Sequence, residues 1–329
     1  MFCPSRIARS VRLLIVMLAL SSSGTALAFA FDLQGHRGAR GLAPENTLEG
    51  FAKALEIGVT TLETDIAVTR DGVLALYHDR ILNADITRQA GGTWLAAPGP
   101  AIGTLTYADL ARYDVGRIKP ESKYAAQFPE QRPVDGARIP TLAELFALTS
   151  PSGKAPRLNI ETKLSPDHPG ETPDPETFSR LVIELVRKAG VSGRVTIQSF
   201  DWRTLLAARK RAPEIETVCL TAQTTLRDRQ ADGQRKPSPW LAGLDSVDHG
   251  GSVPRLVKAA GCAVWSPRYA ELTAETVAEA HKLGLRVVPW TINARADMER
   301  AIAIGVDGLI TDYPDRAREV LAAKGVPLP

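Results

Sequence analysis

The chain has 329 residues, of which 40 are Lys or Arg and 37 are Asp or Glu, for a formal net charge of +3. That excess lies in residues 1–30, where Arg6, Arg9 and Arg12 stand without an acid, so the remainder is balanced. A neutral body with 44% apolar residues excludes a disordered or collagen-like chain and leaves no basic surplus for general nucleic-acid binding.

The three arginines precede an apolar run at 13–20 (LLIVMLAL) and a small-residue stretch at 21–30 (SSSGTALAFA). This is the order of a secretory signal peptide, with cleavage expected after Ala28 or Ala30. The apolar core is short for a hydrocarbon layer of about 30 Å, and no later stretch reads as a membrane span. Residues 1–30 are therefore expected to be removed, leaving 31–329 as one exported domain, periplasmic or secreted. Cys3 leaves with the signal. Cys219 and Cys262 remain, either as a disulfide or as two buried thiols.

From residue 31 onward, apolar runs ending in polar residues alternate with helical patterns. Residues 31–38 (FDLQGHRG) read as a strand with a polar tip. Leu48, Phe51, Ala52 and Leu55 have helical spacing, and Gly58 ends that helix. Strands are expected at 60–69 and 72–79, joined by the Asp71-Gly72 turn. Further strands are expected at 157–163, 194–200, 216–222, 262–267, 286–293 and 306–314. Helical patterns begin at 177, 202, 273 and 295, and another follows the last strand from 315. About eight such units predict an α/β protein, a (β/α)8 TIM barrel. The alternative, a doubly wound open sheet, would call for G-x-G-x-x-G after the first strand, whereas the glycines here are Gly35, Gly38 and Gly41. Residues 80–140 are rich in Gly, Pro and charge. They read as an insertion after the second strand region, expected to roof part of the catalytic face.

The chemistry collects at strand ends. Glu63 and Asp65 share a strand face, as do Glu161 and Lys163. Two adjacent carboxylates in an apolar strand repel, and a cation relieves them. With Glu161 as a third ligand the site is oxygen-only, suited to one divalent cation, Ca²⁺ or Mg²⁺. The competing reading is a salt-bridge cluster using Lys163 and Arg37. Of five histidines, His36 and His78 end strands near these acids and read as a general acid and general base. His168 and His281 read as surface residues, and His249 is open. Arg37 offers a donor fork for phosphate, Lys163 a positive charge, and Gln198 a neutral donor. Trp265 and Trp290 read either as core residues or as a binding platform.

HRGARGLAPENT (36–47), LETDIAVTRDGVLALYHD (62–79), NIETK (159–163), IQSF (197–200), PWTIN (289–293) and GVDGLITDYP (305–314) together resemble the glycerophosphodiester phosphodiesterase family, in order and over nearly the whole exported chain. PVDGARIPTLAELF (133–146) resembles the longer-loop periplasmic members. The resemblance implies a TIM barrel that hydrolyses glycerophosphodiesters to sn-glycerol 3-phosphate and an alcohol. It implies His36 and His78 as the acid/base pair, Glu63, Asp65 and Glu161 as metal ligands, Arg37 and Lys163 as phosphate contacts, and Glu45 as a support of the first strand tip. A phosphodiesterase acting on lysophospholipids and a periplasmic solute-binding protein are the alternatives. The expected partner is a small-molecule diester, with no nucleic acid and no stable membrane span. The oligomeric state and the choice of water or a substrate hydroxyl as nucleophile stay open.

Overall fold

In each strand, alternate residues face opposite sides; here one side meets a layer of helices and the other meets the strands across a barrel. The computed structural model describes residues 1–2, 30–150, 155–231 and 234–328; the expected signal segment at 3–29 lies outside them. The first unit is β1 (Asp32–Gly35), α1 (Leu48–Ile57) and β2 (Thr61–Val68). Thr47 caps α1 by accepting from the Gly50 N–H, and Gly58 at φ 87° closes it, a conformation only glycine adopts freely. β3 (Leu74–Leu76) returns antiparallel along β2. The short α2 (Tyr107–Leu110) and α3 (Leu142–Leu148) come before β4 (Arg157–Thr162).

Next are α4 (Pro175–Lys188), β5 (Val195–Ser199), α5 (Trp202–Arg211), β6 (Glu216–Thr221) and α6 (Gln223–Leu226). A hairpin of β7 (Arg229–Ala231) and β8 (Gln234–Lys236) follows. The chain ends with α7 (Val253–Ala260), β9 (Val264–Pro267), α8 (Ala274–Lys282), β10 (Arg286–Val287), α9 (Arg295–Ala303), β11 (Gly308–Thr311) and α10 (Pro314–Ala323).

The strand order is β10-β9-β6-β5-β4-β2-β1-β11, with every neighbouring pair parallel. The two ends of this row approach each other. The Asp307 N–H donates to the Val287 carbonyl and the Ile310 N–H to the Pro289 carbonyl, each at 2.9 Å. The result is a nearly closed barrel of eight parallel strands, the α/β architecture expected from the alternation. Outward residues such as Leu33, Leu62, Ile160, Ile197 and Leu309 form the main core with Phe51, Phe178 and Leu256 of the helices. Inside the barrel, Val218, Val264, Val288 and Ile310 make a separate apolar cluster.

Cys219 of β6 is bonded to Cys262, with Cα atoms 5.9 Å apart, so the pair forms a disulfide rather than two thiols. Residues 77–141, between β3 and α3, carry a core of their own that includes Tyr77, Leu82, Ile86, Leu110 and Ile139. α2, α3, α6, α7 and the β7–β8 hairpin are not among the expected elements, and one expected strand is shortened. α7 buries Leu256, Val257 and Ala260 on one face, but it spans only 8 residues and has Pro254 in its first turn, so the run is too short to stand out. The β7–β8 hairpin has no alternating apolar pattern to announce it. The strand expected over 286–293 is reduced to two residues, since Pro289 has no N–H to continue a ladder.

Candidate active site

The tip of β1 is shaped by backbone geometry. Arg37 takes φ 52° and Gly38 takes φ 89°. A Cβ on Gly38 would come within 2.7 Å of the Gly50 backbone, so glycine is required there. This turn aims the Arg37 N–H at Glu63 Oε2, 2.9 Å away. The Arg37 side chain turns the other way, donating from Nη1 to Glu45 Oε1 at 2.7 Å and placing Nε 3.2 Å from Asp65 Oδ2. Burial opposes its charge, but Glu45 and Asp65 hold its pKa well above the ordinary value.

His36 Nδ1 lies 2.7 Å from Asp312 Oδ1. Asp312 is also held by Arg40, at 2.7 and 3.1 Å, and by Asn293 Nδ2 at 2.7 Å. Burial works against an ionised Asp312, but Arg40 and His36 keep it far below the usual carboxylate range. An ionised carboxylate only accepts, so Nδ1 carries the proton and Nε2 offers a lone pair to the site, 4.0 Å from Glu63 Oε2. Burial and Arg40 push the His36 pKa down to about 4. His78 repeats the arrangement with Asp79, Nδ1 to Oδ1 at 2.7 Å. Burial, then Arg37 and Lys163, lower its pKa too.

Between the histidines, Glu63, Asp65 and Glu161 are buried, each with a carboxylate oxygen within 4.8 Å of the others. Glu63 accepts from Gln198 Nε2 at 2.7 Å and from the Arg37 backbone; burial, Asp65 and Glu161 raise its pKa strongly. Asp65 accepts from Asn46 Nδ2 at 3.0 Å, and burial of its charge is outweighed by Lys163, His78 and Arg37, which keep it far below its ordinary value. Its Oδ1 has no hydrogen bond and faces Lys163 Nζ at 3.5 Å. Glu161 pairs with Lys163 Nζ at 2.7 Å, yet burial pushes it up to about 7.

These groups surround an inner chamber of about 140 Å³, lined by His36, Arg37, Glu63, His78, Glu161 and Gln198 and closed on one side by Trp290. It adjoins an outer cleft of about 900 Å³.

Most of the expected site residues therefore converge. Glu45 stands behind Arg37, as a support. Gln198 reaches the chamber, but both ends of its amide are engaged, with Glu63 and with Asn159 Nδ2 at 2.9 Å, so it orients a carboxylate. Trp290 stacks edge-on against Phe200 with centroids 5.3 Å apart. Trp265 is a correction. Its neighbour Val264 points into the barrel, so Trp265 points out; it is 3% exposed, packs in the main core and donates to Thr221 Oγ1 at 2.9 Å. It lines neither cavity.

Four residues have functional positions that spacing did not announce. Asp312 and Arg40 brace His36. Asn46, at φ 52°, bridges Asp65 and the Thr64 hydroxyl, 3.1 Å away. Tyr124 donates to Glu45 Oε2 from the long segment before α3. Asp312 and Asn46 lie within the TDYP and PENT stretches, which were the only available signal.

A parallel barrel whose charged side chains gather in a chamber at the C-terminal strand ends defines the class, a (β/α)8-barrel enzyme. A sequence model described as the glycerophosphoryl diester phosphodiesterase family matches residues 36–316, and the chain belongs to that family. A glycerophosphodiester phosphodiesterase of Caldanaerobacter subterraneus is 30% identical over 85% of this chain and 93% of its own. One from Bacillus subtilis is 29% identical over 87% and 84%. Among solved structures, a candidate glycerophosphoryl diester phosphodiesterase of Silicibacter pomeroyi is 35% identical, with TM-score 0.79 over 90% of this chain and 95% of that one. An Oleispira antarctica phosphodiesterase, solved with sn-glycerol-3-phosphate, is 21% identical with TM-score 0.64 over 89% and 98%, which speaks for the fold alone.

Proposed function

We propose that the protein hydrolyses glycerophosphodiesters to sn-glycerol 3-phosphate and an alcohol, using His36 and His78 as the acid/base pair and one divalent cation, Ca²⁺ or Mg²⁺. The observation that carries the reading is a charge imbalance in the chamber walls. The carboxylates of Glu45, Glu63, Asp65, Glu161 and Asp312 face the cations Arg37, Arg40 and Lys163, with both imidazoles neutral. Asp79, beside neutral His78, adds a further carboxylate, so acids outnumber cations around the chamber, and a divalent ion among Glu63, Asp65 and Glu161 would offset that excess. A salt-bridge cluster alone would leave Glu63 without a cationic partner. The strong upward pressure on its pKa and the unbonded Asp65 Oδ1 are what a hard cation among three carboxylates would relieve.

When bound, the cation would be held by Glu63, Asp65 and Glu161 and would supply Lewis-acid polarisation of the phosphoryl oxygens. The chain's own groups do the rest. Arg37 and Lys163 spread the negative charge of the phosphodiester. One imidazole takes the proton of the attacking hydroxyl as the new P–O bond forms. The other gives a proton to the alcohol oxygen as its P–O bond breaks. Each transfer is worth roughly 10²–10⁴-fold. Asp312 and Asp79 keep the rings oriented with Nε2 toward the chamber. The donating ring must first be protonated, and an incoming anion raises an imidazole pKa in that direction.

The reading extends to location and domain plan. Residues 1–30 are proposed as a cleaved signal peptide and 31–329 as one exported domain with an insertion at about 80–140. The Cys219–Cys262 disulfide supports an oxidising compartment. Among the described residues, no helix is long and apolar enough to cross a membrane.

Product analysis with glycerophosphocholine tests the proposal. With Ca²⁺ or Mg²⁺ present, sn-glycerol 3-phosphate and choline should appear in equal amounts, and chelator should stop the reaction. Release of phosphocholine, or a rate unchanged in chelator, would refute it.

A further inference from the structure

The inner chamber is matched to a small polar group, yet it opens onto a much larger space of different chemistry. His78, Glu161 and Phe200 border both cavities, so a diester whose phosphate sits in the chamber projects one of its two ester arms into the outer cleft. At about 900 Å³ the cleft far exceeds what a two- or three-carbon alcohol fills. Its walls include Ile81, Leu82, Pro98, Leu164, Phe200 and Trp240. Ile81 is 38% exposed, among the few large apolar side chains left open to solvent in the described structure. A cleft with apolar and aromatic walls beside a polar reaction chamber has the form of a subsite for a small apolar group.

The charges on the cleft wall add a second restriction. Of its two fixed cations, Arg80 is held by Glu171 at 2.6 Å, and Lys163 is the one assigned above to the phosphate. Asp79 and Asp85 add negative charge. An anionic alcohol would meet repulsion and no available counter-charge.

We infer that the outer cleft is the subsite for the alcohol half of the substrate and that it selects bulky apolar alcohols over small or anionic ones. The inference rests on the phosphodiesterase reading above and adds the substrate class. Binding energy from the non-reacting alkyl arm is available to the transition state as well as to the ground state, so it registers in kcat/KM.

The test is a series of n-alkyl esters of sn-glycerol 3-phosphate, from ethyl to octyl, assayed below micelle-forming concentrations with the divalent ion present. The leaving alkanols differ little in acidity, so chain length is the only variable. kcat/KM should rise by about twofold per methylene, as expected for half-burial of each CH₂, or about 60-fold across the series. A 6-carboxyhexyl ester should fall below the hexyl ester. Trp240→Ala should flatten the series, and Trp240→Phe should restore part of its slope. A flat series in the wild type, or an unchanged slope in Trp240→Ala, would overturn the inference while leaving the phosphodiesterase reading intact. Failure to cleave any ester, glycerophosphocholine included, would overturn both.

Discussion

On the side of the barrel built from β6, β9, β10 and β11, the interior is filled by Val218, Val264, Val288 and Ile310. On the side built from β1, β2, β4 and β5 it is filled by Gln34, Asn159, Gln198 and Glu63, joined in a chain of hydrogen bonds. Gln34 donates to Asp32 at 2.8 Å. Asn159 Nδ2 donates to Gln34 Oε1 and to Gln198 Oε1, each at 2.9 Å. Gln198 Nε2 donates to Glu63 at 2.7 Å. The chain begins and ends on carboxylates, so every amide in it has a defined orientation. The apolar half needs only shape to hold itself. The polar half must be fully paired to be tolerated, and that pairing delivers an oriented Glu63 to the chamber. In this barrel the packing of one half is also the foundation of the site.

The strongest blow to the polar half falls at its rim. His36→Ala and His78→Ala should each reduce kcat/KM by roughly 10²–10⁴-fold while circular dichroism stays native. Wild-type-like turnover from either variant would remove that residue from the mechanism.

Deeper in the barrel, Asn159→Leu strands Gln34 Oε1, Gln198 Oε1 and the Thr196 hydroxyl, which donates to Asn159 Oδ1 at 2.9 Å. At about 1–3 kcal/mol per orphaned group, denaturant titration should show a loss of several kcal/mol, with kcat reduced as Glu63 loses its orientation. A loss below about 1 kcal/mol with full activity would mean that the hydrogen-bonded chain is incidental.

The buried rings make the polar half sensitive to acid. His36 drops from an ordinary 6.5 to about 4 on folding, because of burial and Arg40, so between those pH values the unfolded chain binds more protons. Its contribution to stability is present above about 6.5 and is lost as the pH falls to 4, up to about 3 kcal/mol. Glu161 acts oppositely. Its raised value of about 7 adds stability at low pH that is lost as the pH climbs toward 7. In chelator-treated protein, subtracting the stability curve of His36→Ala from that of the wild type should isolate the histidine slope. A difference independent of pH would contradict a neutral buried His36.

On the apolar half, Val264→Ala should cost only about 1.5 kcal/mol, the burial of two methyl-sized groups, with kcat unchanged. A collapse in activity there would erase the distinction between the halves.

The barrel was legible because its strands alternate with helices at regular intervals, and the core of the site because charged residues at i and i+2 interrupt apolar strands. Other features were hidden for physical reasons. His36 and Asp312 are brought together by barrel closure across nearly the whole chain, and no local spacing encodes that. Tyr124 sits in a segment without periodicity. The Asn159–Gln198 contact depends on the register between β4 and β5, where Asn159 pairs with Thr196 and Glu161 with Gln198. Trp265 was open to misplacement because moving one position along a strand reverses the face, and WSP alone does not say which face is inside.

Isothermal titration of the metal-free protein with Ca²⁺ and Mg²⁺ is the most direct test of the carboxylate trio. One ion should bind per chain in the wild type and none in the Glu63→Gln, Asp65→Asn, Glu161→Gln triple variant, with that variant's fold confirmed by its circular dichroism. An equal binding isotherm from the triple variant, or no binding by the wild type, would contradict a cation held among Glu63, Asp65 and Glu161.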